Sequence, residues 1–258
     1  MRVTILGCGP SGGVPLVGCD CAVCCSDNPK NRRSRPSIAV ERGETRLLVD
    51  AATDLRQQML ASGLTRFDAV LLSHAHADHT NGIDDLRAVN WQIRRPLDVY
   101  GTAETLDSVR QRFGYAFTAI EPGRGWYKPE LAARRMDGPV QIGDIEVVPF
   151  ARAHGADTTL GFRFGDVAYS TDANGLSDAA FAALDGVGLW IVDCLRPDWN
   201  PVHSHLEQTL EWIERAGPRR AVLTHMNHEF DYDELAAALP DGVEPAYDGM
   251  VIDWPESD

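Results

Sequence analysis

No run of about 18 apolar residues occurs anywhere in this 258-residue chain, so nothing in it reads as a membrane-spanning helix. The opening, Met1-Arg-Val-Thr-Ile-Leu, enters a strand-like run at once and meets Gly7 and Pro10. That leaves no room for the charged, apolar and cleavage regions of a signal peptide, and a cytoplasmic location is expected. The chain also lacks a solenoid-period repeat, a low-complexity tract and a Pro/Gly linker, so residues 1–258 are read as one domain. Positive charge is scarce: 24 basic against 38 acidic residues give a formal charge of −14, with no Lys/Arg-rich arm. Such a field repels nucleic acid and anionic membranes, and neither is expected as a partner. The cysteines are not spaced as a disulfide framework either. Four of the six lie between Cys19 and Cys25, which in a reducing compartment favours a metal site over disulfides.

What is present is a regular alternation. Short apolar runs rich in β-branched residues read as strands over 2–6, 37–41, 46–50, 69–73 and 96–100, and again over 145–151, 159–164, 167–170, 189–193, 221–224 and 249–253. Helical segments are expected over 53–62, 84–92, 105–113, 178–184, 205–216 and 232–239, several opened by Ser, Thr or Asp and closed by Gly. The pattern predicts an α/β fold with mixed sheets. The stretch from Phe117 to Gly143 is the least regular.

All eight histidines fall in four places: His74, His76 and His79; His154; His203 and His205; His225 and His228. Three of those places follow an apolar strand-like run, which would bring the imidazoles to one rim, and Asp172 follows its strand in the same manner. Imidazoles with oxygen ligands suit zinc, manganese or iron, and vacant positions on such metals suit hydrolysis. Within His74-Ala-His76-Ala-Asp78-His79 a tight loop can aim the first two histidines at one metal and the Asp-His pair at a second.

His-x-His-x-Asp-His with later single His, Asp and His residues resembles the metallo-β-lactamase superfamily over nearly the whole chain. The resemblance implies a four-layer αββα sandwich of two mixed sheets with helices outside. It implies that His74, His76 and His154 hold one metal, that Asp78, His79 and His225 hold the other, and that Asp172 bridges them. Two divalent metals, zinc or manganese, are thus expected, with water or hydroxide between them as nucleophile. The bridging Asp argues against the antibiotic-hydrolysing branch. It leaves phosphodiesterases, transfer-RNA 3′-processing ribonucleases, thioesterases and lactonases, together with non-catalytic cofactor-biosynthesis relatives.

Cys19, Cys21 and Cys24, at x1 and x2 spacing, can wrap one structural zinc, with His228 or Cys25 as fourth ligand. This cluster, and Gly82-Ile-Asp-Asp-Leu-Arg87, resemble the phosphoribosyl cyclic phosphate phosphodiesterases that accompany carbon-phosphorus lyase. That branch implies a small cyclic phosphate ester as substrate. His203, 22 positions before His225, stands where such relatives carry the histidine that contacts the scissile phosphate. The expected catalytic groups are His203, as general acid, and Asp78; His205 is the rival for the acid. Asp84, Asp85 and Asp193 are candidates to orient ligand histidines, or else helix caps. Lys30, Arg32, Arg33 and Arg35 form a basic run that could hold a terminal phosphate or simply be a solvated loop. A homodimer is possible, although no interface stripe stands out.

Overall fold

The computed structural model describes residues 1–121 and 123–255. It contains two seven-stranded sheets. The first runs in the order β14 (Val251–Asp253), β1 (Arg2–Gly7), β2 (Ser37–Arg42), β3 (Thr45–Val49), β4 (Ala69–Leu71), β5 (Leu97–Gly101) and β6 (Leu131–Arg135). The second runs β13 (Val243–Pro245), β12 (Arg220–Thr224), β11 (Leu189–Asp193), β10 (Val167–Ser170), β9 (Asp157–Phe164), β8 (Ile145–His154) and β7 (Val140–Ile142). Both are mixed: β3 through β6 are parallel and so are β10 through β13, while the remaining pairs are antiparallel.

The alternation of side chains along each strand assigns the layers. In the first sheet Ile38, Val40, Leu47, Val49 and Leu71 face the second sheet and join one core with Phe162, Phe164 and Tyr169. The intervening Ala39, Leu48 and Val70 point the other way, into a separate core with helices α1 (Leu55–Ser62), α3 (Arg87–Ile93) and α4 (Ala103–Phe113). Strand β11 is fully buried along its length, as a parallel strand covered on both faces must be. Helices α5 (Asp178–Leu184), α6 (Leu206–Ala216) and α7 (Tyr232–Ala238) contribute Leu184, Ile213 and Leu235 to the same core as β11. The layering is the expected αββα sandwich.

Element boundaries match to within about two residues in most places, with informative exceptions. The irregular stretch holds two partly exposed edge strands, β6, whose Leu-Ala-Ala-Arg-Arg has no apolar alternation, and β7, whose alternating Val-Gln-Ile is only three residues long. The segment expected as one helix over 84–92 is instead a 3-10 turn, Ile83–Leu86, leading into α3.

Candidate metal centre

Strands β3, β4, β10, β11 and β12 each end at the same edge of their sheet because they run parallel to their neighbours. Outside the carboxyl ends of parallel strands is where an α/β protein presents ligand groups. There β3 delivers Asp50, β4 delivers Ser73 and His74, β10 delivers Asp172, β11 ends on Asp193, and β12 delivers His225. Strand β8, two antiparallel steps from β10 and so running in its direction, ends on His154.

The His-x-His-x-Asp-His loop turns into a one-turn helix, α2 (Ala77–Thr80), which carries Asp78 and His79 inward. Gly82 closes this loop against the end of β3. Its N–H bonds Ala51 O at 2.9 Å, and a Cβ there would lie 2.0 Å from Ala52 O. Only glycine permits that approach.

Two groups of ligand atoms result, each with members within 4.8 Å of one another: His74, His76, His154 and Asp172; and Asp78, His79, Asp172 and His225. Asp172 belongs to both. Its Oδ1 lies 3.2 Å from His79 Nε2 and 3.4 Å from His225 Nε2, and its Oδ2 lies 3.9 Å from His74 Nε2. Asp78 Oδ2 is 3.3 Å from His79 Nε2 and 3.8 Å from His225 Nε2. His76 is the exposed member of these groups.

The hydrogen-bond network assigns the imidazole tautomers. Ser73 Oγ donates to Asp50 Oδ2 at 2.7 Å, so its oxygen accepts from His74 Nδ1 at 3.0 Å. His79 Nδ1 donates to Asp50 at 2.8 Å, and His154 Nδ1 donates to Val202 O at 2.7 Å. Every one of these contacts leaves Nε2 as a bare lone pair. His74, His79 and His225 Nε2 are buried with no hydrogen-bond partner, although buried polar atoms are nearly always paired. Orphaned imidazole nitrogens facing buried carboxylates fit divalent cations.

The electrostatics agree. Burial holds His74 well below the ordinary imidazole value. At His79 and His225 the neighbouring carboxylates, Asp172 foremost, outweigh burial and raise the imidazoles, His225 to about 8, so the site is one that attracts positive charge. Burial opposes ionisation of Asp78 and Asp172, yet the surrounding histidines hold both below the usual carboxylate range.

His203 faces Asp193 Oδ2 at 3.6 Å and Asp172 Oδ2 at 3.9 Å through Nδ1. Asn200 fixes its loop by accepting the N–H groups of Val202 and His203 at 2.9 and 3.1 Å. With Ser11, His76, His154, Val202 and His225 it lines an open cleft of about 320 Å³. His205, the rival, heads α6 and is in none of the converging groups.

Among the orienting candidates, Asp193 also lies 3.6 Å from His225 Nδ1. Asp84 instead accepts the Tyr115 hydroxyl at 2.9 Å, and Asp85 contacts no ligand histidine among the described residues. Sequence reasoning missed Asp50, which supports both His74 and His79. Its signal was a buried-strand ending, Leu-Leu-Val-Asp50, of the same kind as that before Asp172.

Cys19, Cys21 and Cys24 converge, their sulfurs within 4.8 Å. The Cys24 N–H points at Cys21 Sγ at 3.4 Å and lowers that thiol's pKa. Cys25 is exposed and outside the group. His228 adjoins through its carbonyl, 3.9 Å from Cys21 Sγ, while its ring is not among the converging ligand atoms. Three residues of the basic run are committed to structure, and Arg32 is exposed. Arg33 is buried and donates to Asn227 O and Phe230 O, both at 2.9 Å, Arg35 pairs with Asp54, and Lys30 lies over the Tyr232 ring at 4.2 Å.

A cleft that opens onto converging imidazole nitrogens and ionised carboxylates is the equipment of a metal-dependent hydrolase. Comparison with known proteins narrows the class. A family model described as a beta-lactamase superfamily domain matches residues 45–226. The octanoyltransferase of Porphyromonas gingivalis (strain ATCC BAA-308 / W83) is 36% identical over 254 residues, 97% of this chain, which spans about half (51%) of that relative's length. A solved structure of a new diphosphatase from the PhnP family superposes with a TM-score of 0.91 at 30% identity, covering 99% of this chain and 98% of that one. Zn(2+)-bound PqqB from Methylobacterium extorquens, 21% identical, shares the fold with a TM-score of 0.72 over 98% of this chain and 100% of its own. The chain belongs to the beta-lactamase superfamily. No helix among the described residues is long and apolar enough to cross a membrane.

Proposed function

We propose that this chain is a binuclear metal-dependent phosphodiesterase that opens a small cyclic phosphate ester, with 5-phosphoribosyl 1,2-cyclic phosphate as the expected substrate. The observation that carries the reading is the shared carboxylate: Asp172 belongs to both ligand groups, and His203 faces it across the cleft at 3.9 Å. The diphosphatase of the PhnP family, similar over 99% of this chain, supports chemistry at phosphorus.

His74, His76 and His154 would hold one divalent cation, Asp78, His79 and His225 the other, and Asp172 both. Cations bound there would supply Lewis acidity toward phosphate oxygens and a lowered pKa for water. The chain's own residues do the rest. Asp50, Ser73 and the Val202 carbonyl keep protons on the Nδ1 atoms of His79, His74 and His154, and so keep the ligating nitrogens bare. His203, its Nδ1 directed at Asp193, keeps Nε2 for delivering a proton to the leaving oxygen. A further zinc would be held by Cys19, Cys21 and Cys24, with His228, whose carbonyl adjoins Cys21 Sγ, as the candidate fourth ligand.

The test is turnover of bis-p-nitrophenyl phosphate, a 2′,3′-cyclic nucleotide, a thioester and a lactone by metal-reconstituted protein, with metal counted alongside. Diester cleavage with about three metals per chain supports the reading. Turnover confined to the thioester or lactone would refute the reaction class, and would direct attention to acyl chemistry such as the Porphyromonas relative's name describes.

A further inference from the structure

The buried side of β8 runs Phe150, Arg152, His154, from the core through a guanidinium that is 2% exposed to a ligand imidazole. Burying a charge costs free energy that an apolar side chain in the same place would not. The core does not account for that cost, since Arg152 Nε has no partner among the described residues. The metal rim does. Burial lowers the guanidinium to about 10, with Asp172 foremost in opposing the shift, so it is charged at neutral pH. Nη1 donates to the carbonyl of Thr171 and Nη2 to the carbonyl of Leu160. Thr171 O belongs to the peptide that leads into Asp172, whose φ of 58° is left-handed. The other holds on that turn come from Thr171 Oγ1, which donates to Asp172 Oδ1 at 2.7 Å, from Thr159 Oγ1, which donates to Asp172 O at 3.1 Å, and from Asp193 Oδ2, which accepts Ala173 N at 3.2 Å. The second arm of Arg152 reaches further. Leu160, in β9 of the second sheet, donates its N–H at 2.9 Å to the carbonyl of Ser73, the residue before His74. One side chain thus links the backbone that enters the shared carboxylate to the backbone that enters the His-x-His loop.

We infer that Arg152 is a positioning residue of the metal centre, whose two-armed fork holds Asp172 and His74 in the spacing that lets one carboxylate serve both ligand groups. The inference rests on the metal assignment and holds whichever reaction the metals serve. A planar guanidinium with donors on two nitrogens can span two carbonyls, whereas a lysine ammonium is a point charge on a flexible stem. Charge alone predicts the opposite consequence of losing this residue. A fixed cation beside a cation site repels the incoming metal, so its removal would tighten binding. Loss of positioning weakens it.

The experiment titrates metal-free wild type, Arg152→Met and Arg152→Lys with zinc in a calorimeter, with circular dichroism to establish that each is folded. The expected result is a loss of affinity on the order of 10-fold at the His/Asp groups in both variants, the low end of what supporting partners of metal ligands carry. Zinc uptake at Cys19, Cys21 and Cys24, which Arg152 does not touch among the described residues, should be unchanged and serves as the internal reference. Should Arg152→Met fail to fold, Arg152→Lys, which keeps the buried charge, supplies the same test. Wild-type or tighter affinity in folded Arg152→Met overturns the inference, because a residue that serves the core alone moves the melting temperature and leaves metal affinity where it was. Wild-type affinity in Arg152→Lys overturns it as well, since charge and not the fork would then be what matters. If the wild type takes up no zinc beyond the cysteine cluster, the metal assignment itself fails, and this inference with it.

Discussion

Asp50→Asn is a one-atom change that should weaken both metal groups at once. Asp50 is fully buried and accepts Ser73 N at 2.8 Å, Ser73 Oγ at 2.7 Å and His79 Nδ1 at 2.8 Å. Its φ of 63° is one that asparagine tolerates as well as aspartate, so the substitution tests chemistry rather than backbone. The Asn Oδ1 keeps the Ser73 N–H, which places Nδ2 where Oδ2 was. Facing a donor, His79 must move its proton to Nε2, the ligating atom. Ser73 Oγ must accept from Nδ2 and turn its hydrogen toward His74 Nδ1, which forces the same tautomer change there. Loss of such supporting partners typically costs 10- to 100-fold in metal affinity, about 1.4–2.7 kcal/mol for each group. Calorimetric titration of the metal-free variant with zinc, beside a circular dichroism check of its fold, measures this. Wild-type affinity for both cations in a folded Asp50→Asn protein would refute the tautomer argument.

Asp172→Ala removes the carboxylate common to both groups; turnover should vanish and the metal count should fall by at least one, and full activity would sink the two-metal assignment. Gly82→Ala should lower stability by about 2–3 kcal/mol in urea denaturation, because the new Cβ would meet Ala52 O at 2.0 Å and Leu55 Cβ at 2.8 Å. A midpoint within error of wild type would show that the loop can yield. Burial pushes the Asp248 carboxyl up to about 6 against the donors of Ser34 and Cys8. A carboxyl raised on folding favours the protonated native state. Its contribution is therefore full below its unfolded value of 3.8 and is lost as pH rises toward 6. The stability of wild type relative to Asp248→Asn should fall across that window, and a flat difference would contradict it.

The seven residues that converge at this rim could be read from the sequence because histidine and aspartate closing apolar strands is a one-dimensional signal of a three-dimensional edge. The preference for His203 over His205 rested on its position relative to His225 in the resemblance, since two histidines two positions apart differ otherwise only in how their loop is pinned. Here Asn200, accepting two successive N–H groups, turns His203 toward Asp193. Asp50 escaped notice because its partners Ser73 and His79 lie 23 and 29 positions away, and only the parallel pairing of β3 with β4 brings them together. Strands β6 and β7 were hidden for another reason. Leu131–Arg135 and Val140–Ile142 lie at sheet edges with half their side chains wet; the first lacks the alternation that marks a covered strand, and the second, though alternating, is too short to show it. The basic run misled in the opposite direction. Charge in a sequence marks availability, and Arg33 is spent on the carbonyls of Asn227 and Phe230, bracing the turn after His225.

The backbone itself carries an independent sign of where function lies. Among the described residues four other than glycine have positive φ, and three of them are Asp50, Asp172 and His225, at 63°, 58° and 62°. Each comes within two residues of the end of a parallel strand. Had the chain stayed extended, alternation would have aimed these side chains at one face of their sheet. The left-handed turn swings them over its end instead. The conformation costs roughly 1–2 kcal/mol at a residue with a Cβ. Asp and His bear it more readily than branched residues, but bearing it is no benefit to the fold. Strain repeated three times on one rim, in residues from both sheets whose lone pairs converge, is better explained by what the rim binds than by what the sandwich needs.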